Sequence, residues 1–479
     1  MTSELKIHNN LTRKKEVFKT IESGKVKFYS CGPTTYDFAH VGNGRSFVVA
    51  DLFHRVLKAA GFEVNFVRNY TDVDDKIINR ANELGRDPIE HAALFVRECE
   101  KDMNSLGMLS PTHTPKVSES MNEIIQMISD IIKNGFAYVV DGEVFYDVVK
   151  YSSYGKLSKK DLESLQHGIR VEVDSKKHHP SDFVLWKPAK AGEPSWESPW
   201  GKGRPGWHIE CSAMAKKFLG PTLDLHHGGV DLIFPHHENE IAQSEAANGC
   251  PFCHSWAHNE FLNFGTEKMS KSLGNVIKIK DFVEKYHGQV LRHIYLSVHY
   301  RARLEWSEEV IQRSLDEVKR IHEFVLEVAD YKENSEAQED SDIQGFLTQI
   351  KEELFNDFNA AGAMGHFFSF IRHVRHKKDF LSKNSLTQVH QIISFVENTL
   401  GLVSHNPQEV LNKLKKLEQD TSNLNVDASW IESLIEERKR AKIEKNWARA
   451  DEIRKELVGQ KILLKDHPDG STSWSIQTN

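Results

Sequence analysis

An apolar run from Val26 to Cys31 is followed at once by Gly32 and Pro33. Helix-periodic Phe47, Leu52, Val56 and Ala60 come next, then a stop at Gly61 and a second strand-like segment from Phe62 to Tyr70. Strand, helix and strand within about 45 residues read as a right-handed βαβ crossover of an α/β sheet. In such a sheet ligands sit beyond the carboxyl ends of the strands, and Cys31 and Thr71 both fall there.

The rest of the 479 residues must be arranged around that unit, and a prior of about 150 residues per domain calls for roughly three units. Residues from about Ser110 to Gly203 differ in character: a helix is expected around Met121 to Lys133, a hairpin near Phe136 to Val149, then a loop-rich segment. Sheet signals resume at Thr222 to Leu225 and at Ser255 to Leu262, with a helix from about His236 to Asn248 between them, so a Rossmann-type domain is expected to be split by an insertion. Beyond Ile279 helical periodicity dominates. Lys332 to Asp342 carries five acidic residues and one lysine, an expected exposed linker before a helical bundle. Glu436 to Lys465 has ten Lys or Arg against six Asp or Glu, local basic surface in a chain of net charge −7, and a small terminal domain is placed there.

No apolar run approaches the ~18 residues of a membrane span, and Met1 to Lys19 lacks a signal-like apolar core, so a cytoplasmic protein is expected. Five cysteines (Cys31, Cys99, Cys211, Cys250, Cys253) are an odd, scattered set, which favours thiols or metal ligands over a disulfide framework.

Two short motifs bear on phosphate chemistry. His40-Val41-Gly42-Asn43 lies where the first helix begins, so amides and the positive end of the helix dipole can face a phosphate; an ordinary loop is the bland alternative. Lys268-Met269-Ser270-Lys271-Ser272 offers two lysines spaced to grip a polyphosphate, against the alternative of a solvated basic turn. Taken together, these strings resemble the two signatures of class I aminoacyl-tRNA synthetases, with Asn43 standing where the family usually has histidine. Tyr29-Ser30-Cys31-Gly32-Pro33-Thr34, Thr71 to Lys76, Trp207 to Ser212 and Phe234 to Glu240 resemble the cysteinyl branch of that family.

The resemblance implies an α/β fold: a Rossmann-type class I catalytic domain split by a connective insertion, an α-helical bundle and a small C-terminal anticodon-binding domain. The expected bounds are 1–110 and 206–262 for the two catalytic halves, 111–205 for the insertion and 263–320 for a stem-contact region with the lysine loop. Residues 321–420 would form the bundle and 421–479 the terminal domain. It further implies catalytic His40, Asn43, Lys268 and Lys271; ATP contacts from these with Gly42 and Ser270; and an amino-acid pocket of Gly32, Thr71, Trp207 and Asp231.

A metal is also expected on physical grounds. Cysteine and serine differ by one atom, and a buried hydrogen bond separates such partners by only about 1–3 kcal/mol, whereas translation calls for about 5.5 kcal/mol. A zinc ion with an open position can take a thiolate and disfavour a hydroxyl. His236 and Glu240, four apart on an expected helix, project from one face. By resemblance they hold zinc together with Cys31 and Cys211. Cys250-Pro251-Phe252-Cys253 has C-x2-C spacing but no second pair to complete a ribbon, so both are expected to be structural or incidental, and Cys99 a helix-core thiol. The implied activity is activation of L-cysteine with ATP and magnesium, and its transfer to the terminal ribose of tRNA-Cys by a monomer. The alternatives are a paralogue joining activated cysteine to a small amine, or a non-enzymatic zinc protein that binds RNA.

Overall fold

The computed structural model describes residues 4–161, 175–264, 276–423, 428–444, 446–460, 462–466 and 472–476. A ribbon of β1 (Lys6–Asn9) and β2 (Lys14–Val17) precedes the expected unit: β3 (Lys25–Ser30), helix α1 (Val41–Ala59) and β4 (Glu63–Arg68). β3 and β4 pair in parallel, as the crossover requires. The insertion supplies a helix (Met121–Lys133) and an antiparallel sheet of β5 (Ala137–Val140), β6 (Glu143–Tyr146), β7 (Phe183–Pro188) and β8 (Gly203–Pro205). Then come β9 (Leu223–Gly229) and β10 (Cys253–Asn259), again parallel.

The main sheet has the order β10-β9-β3-β4. From the β3–β9 seam the first half of the chain grows to one side and the second half to the other. This reversal opens a crevice at the strands' carboxyl ends, where such sheets bind ligands. The seam itself is dry: Phe28 lies in register with Leu225 on one side and Phe66 on the other, all three essentially inaccessible, and the Phe28 and Phe66 rings stack at 4.5 Å. β3 and β4 stood out in the sequence by the apolar residues they carry in alternation and by the glycines that bound them.

The insertion is part of the core. Ile124, Ile128, Val144 and Trp186 belong to one apolar cluster with Ile209, Met214, Ile241 and Trp256 from the second catalytic half. The amphipathic helix Met121–Lys133 buries its apolar face, Met121, Ile124, Met127, Ile128 and Ile131, in that cluster.

α1 is anchored at its start and in its interior. His40 caps its start, with Nδ1 accepting from the Asn43 amide while Asn43 Oδ1 accepts from the His40 amide. Deeper in the helix, the buried Asp51 carboxylate accepts from Arg55 Nε (2.7 Å), Arg292 Nη2 (2.5 Å) and the Leu109 amide (2.8 Å). Arg292, on the helix Gly288–Leu296, also donates to the Leu400 carbonyl at the end of the helix Lys383–Leu400. That helix closes on Gly401 in the left-handed region (φ 61°), where a Cβ would lie 2.8 Å from the Arg292 guanidinium. The network fixes the helix of the first signature to the bundle.

The bundle comprises the helices Glu308–Ala329, Ser341–Phe355, Ala360–Lys377 and Lys383–Leu400. The acidic stretch between the first two is irregular and largely exposed, yet it is pinned: the Asn334 amide donates to the Leu381 carbonyl and the Asp340 amide to Ser385 Oγ. Residues 1–414 and 415–479 form two compact units, and the second has its own core of Ile431, Leu434, Ile453, Leu457 and Ile462. Among the described residues no helix is long and apolar enough to cross a membrane.

Candidate metal centre and nucleotide cleft

Cys31 lies immediately beyond the end of β3, at the seam. Cys211 is in the first turn of the helix Ile209–Leu219. His236 and Glu240 approach from the other half, but the single regular helix expected from His236 onward is not what forms. Ile233–His237 is a wide five-residue turn, with Phe234 extended and Phe234-Pro235 cis, and the α-helix runs Glu238–Asn248. Proline removes an amide the helix would need and restrains the residue before it, which breaks the first turn. The four-residue spacing survives, and His236 Nε2 sits 3.1 Å from Glu240 Oε1.

One donor atom from each of Cys31, Cys211, His236 and Glu240 falls in a group whose members all lie within 4.8 Å of one another. The Cys31 and Cys211 sulfurs are 3.9 Å apart, and Cys31 Sγ is 3.4 Å from Glu240 Oε1. Ligands on a tetrahedral zinc, about 2.0–2.3 Å from the ion, lie about 3.3–3.8 Å from each other, so these separations and this donor chemistry fit zinc. The electrostatics agree. The hydrogen bond from Cys31 holds the Cys211 thiol down to about 6, with His236 helping against burial. Burial opposes the charged form of His236, but Glu240 and Cys211 outweigh it and raise its pKa to about 10. The Glu240 carboxyl, despite burial, is held at about 2 by His226 and His236.

Sequence reasoning missed the shell around these donors. His226 Nε2 is 2.9 Å from Glu240 Oε2, His208 Nδ1 is 2.9 Å from His236 Nδ1, and His237 Nδ1 is 2.8 Å from His258 Nε2. The signal was present in His226-His227 and His236-His237, since imidazoles inside apolar parallel strands are costly to bury without a partner. Asn69 was missed as well. Its Oδ1 accepts from the Gly32 amide at 2.9 Å and lies 3.8 Å from Cys211 Sγ, tying the two sides of the crevice.

The pocket residues cluster unevenly. Gly32 packs so closely that a Cβ would lie 1.6 Å from the Asn69 carbonyl oxygen, so no side chain fits. Thr71 is buried and its hydroxyl donates to Glu210 Oε2 at 3.0 Å, an acid whose pKa burial and the neighbouring Cys211 push well up. Trp207 is 41% exposed and stacks on His236 at 4.5 Å, a wall beside the donors. Asp231 is exposed in the turn Val230–Leu232 after β9. Cys99 is a buried helix residue; Cys253 is buried in β10, and Cys250 lies 3.5 Å from Thr222 Oγ1.

His40, Gly42 and Asn43 sit at the start of α1 as expected, but two of its first amides are taken: Val41 donates to the Ile277 carbonyl and Asn43 to His40. What the helix start retains for a phosphate is therefore its dipole and side chains more than those two amides. The Ile279 amide donates in turn to the Ala39 carbonyl, so the chain just after the second signature is stitched to the first. Lys268, Ser270 and Lys271 lie outside the described residues.

The helix carrying Glu240 is held by the insertion. The fully buried Glu238 accepts from the amides of Leu157 (3.2 Å) and Ser158 (2.7 Å), and Tyr154 Oη donates to Asn239 Oδ1. Glu238→Ala leaves those two amides without their acceptor and is expected to cost about 1–3 kcal/mol, read as a lower urea midpoint; an unchanged midpoint would remove this anchor from the account.

Residues 17–316 match the family described as "tRNA synthetases class I (C) catalytic domain". The chain is 46% identical to the "Cysteine--tRNA ligase" of Geotalea uraniireducens (strain Rf4), over 99% of this chain and all of that one. It is 45% identical, with the same coverage, to that of Geobacter sulfurreducens. In fold it resembles the Mycobacterium tuberculosis methionyl-tRNA synthetase in complex with methionyl-adenylate, with a TM-score of 0.60 at 13% identity, covering 81% of this chain and 93% of that one. It also resembles the LeuRS of a ternary complex from Agrobacterium radiobacter K84, with a TM-score of 0.59 at 11% identity, covering 83% and 86%. Match over most of the catalytic region and identity end to end agree with the split parallel sheet and its thiol-bearing seam: the chain belongs to the cysteine--tRNA ligase family of class I tRNA synthetases.

Proposed function

We propose that this protein activates L-cysteine with ATP and transfers it to the terminal ribose of tRNA-Cys, selecting cysteine at the Cys31, Cys211, His236 and Glu240 cluster. The observation that carries the reading is that cluster's place: two thiols, an imidazole and a carboxylate from both halves of the sheet, at the crevice and on the side where α1 begins. A zinc ion held by these four residues would present a soft position that favours a thiolate over a hydroxyl.

The chain's own groups do the rest. Trp207 walls the donors, Gly32 and Thr71 line the amino-acid pocket, and Asp231 accepts from the substrate's amine. In the first step a cysteine carboxylate oxygen attacks the α-phosphorus of ATP; the new O–P bond forms as the bond to the β-phosphate oxygen breaks, releasing pyrophosphate. His40 and Asn43, set by their reciprocal cap, and Lys268 and Lys271 hold the charge that moves onto the leaving group. Magnesium accompanies the nucleotide. In the second step a terminal ribose hydroxyl attacks the acyl carbon, the anhydride bond breaks and AMP leaves. The helices after residue 308 and the basic stretch from Arg438 to Lys465 with Trp447, which is 60% exposed, offer phosphate contacts and a stacking surface for tRNA. All donors come from one chain, which supports a monomer, and the five unpaired cysteines suit a reducing compartment such as the cytoplasm.

A paralogue acting on a small amine would leave those helices without a task. Cysteine-dependent ATP–pyrophosphate exchange, run with cysteine and serine before and after chelation, tests the main reading. Exchange that favours cysteine only while metal is present is expected; a preference that survives complete metal removal would sink it. Charging of tRNA-Cys separates the two acceptors. Lys271→Ala should slow adenylate formation with little effect on cysteine binding, and an unchanged single-turnover rate would remove Lys271 from catalysis.

A further inference from the structure

The donor cluster is larger than one tetrahedron needs. A second group, Cys31, His226, His237 and Glu240, also brings one donor atom from each residue within 4.8 Å of all the others. It shares Cys31 and Glu240 with the first and replaces Cys211 and His236 by two imidazoles, both fully buried. His237 Nε2 lies 3.4 Å from Cys31 Sγ and 3.9 Å from Glu240 Oε1, close to the separations a zinc-sized ion imposes. Its Nδ1 is engaged by His258 at 2.8 Å, the kind of outer bond that orients a ligating imidazole. His226 reaches the second oxygen of Glu240 at 2.9 Å, its ring is stacked on Trp256 at 4.5 Å, and its Nδ1 has no hydrogen-bond partner among the described residues. Glu240 thus faces both sets of donors at once: Cys31, His236 and His237 lie around its Oε1, and His226 meets its Oε2.

We propose that the cluster contains a second metal position, in which a divalent ion of zinc's chemistry is held by Cys31, His226, His237 and Glu240. It builds on the reading of the first four residues as a zinc site. The two positions share half their ligands, so they are alternatives for one ion. The second has one thiolate where the first has two, which makes them spectroscopically distinct with cobalt, whose thiolate charge-transfer absorption scales with the number of coordinated sulfurs.

The test uses the full-length chain stripped of metal and titrated with Co2+. Wild type should take up one ion with a two-thiolate band. C211A/H236A should still take up one ion per chain with about half that band, and adding H237A should abolish uptake. Failure of the folded C211A/H236A protein to bind cobalt, or binding indifferent to H237A, overturns the second position. If instead C211A/H236A leaves the wild-type band unchanged and H226Q/H237Q removes it, the native ion rests in the second position and it is the first assignment that falls. Should the double variant not fold, the milder C211S serves: H237A is expected to weaken cobalt binding by about 10-fold or more in C211S and by distinctly less in wild type. Equal effects in the two backgrounds overturn the proposal.

Discussion

Replacing Cys211 by serine is expected to collapse the preference for cysteine over serine from about four decades to the roughly 5- to 150-fold that a buried hydrogen bond sustains. The reason lies in what Cys211 does for its neighbours. It is buried, its thiol titrates at about 6 because Cys31 donates to it, and it sits against His236 and Glu240. A hydroxyl at that position stays protonated and offers a hard, weak ligand in place of a soft anion. The measurement is the ratio of pyrophosphate-exchange efficiencies for the two amino acids, with metal content determined on the same sample. A ratio unchanged in C211S would remove this thiol from selection.

Asp51→Ala should be the most destabilising single change outside the metal centre, by about 3–5 kcal/mol, because it leaves the buried guanidinium of Arg292 and the nearly buried one of Arg55 without their shared carboxylate. Urea unfolding followed by tryptophan fluorescence would read it as a large drop in the first midpoint. The pH dependence has a definite sign. Burial disfavours the Asp51 anion, but Arg292 and Arg55 outweigh that and hold its pKa below the ordinary 3.8. Its contribution is therefore present above that ordinary value and fades as pH falls through the lower folded value. Between pH 7 and pH 5 the gap between wild type and D51A should stay constant, and it should narrow below about pH 4. A gap that narrows already at pH 6 would assign the stabilisation to another group. Since Asp51 lies on the helix that His40 caps, the variant should also lower exchange activity at temperatures where it remains folded.

The first strands of the sheet were legible because they are apolar-rich and punctuated by Gly32-Pro33 and Gly61. The expected bounds Val26–Cys31 and Phe62–Tyr70 compare with Lys25–Ser30 and Glu63–Arg68. β9 was read short, ending at Leu225 when it runs to Gly229, because His226 and His227 look polar in a one-dimensional pattern although the sheet buries them completely. The helix expected from about His236 to Asn248 runs Glu238–Asn248, because spacing alone shows His236 and Glu240 four apart and cannot show that Pro235 opens the first turn. Resemblance supplied the four donors, and their proximity emerged only from the fold, since Cys31 and Cys211 are 180 residues apart. His208, His258 and Asn69 carry no local pattern; their partners come from other elements.

That β3 is shared by both halves of the sheet has a bearing on how the protein is made. As the chain leaves the ribosome, Cys31 emerges early and waits while nearly two hundred further residues are synthesised before β9 can close on its strand. Long-range parallel pairing of this kind is slow, and it comes late. A nascent or truncated chain lacking Glu240 cannot assemble either donor set. The ability to discriminate sulfur from oxygen would then arrive together with the completed crevice, and an unfinished product could not charge the wrong amino acid.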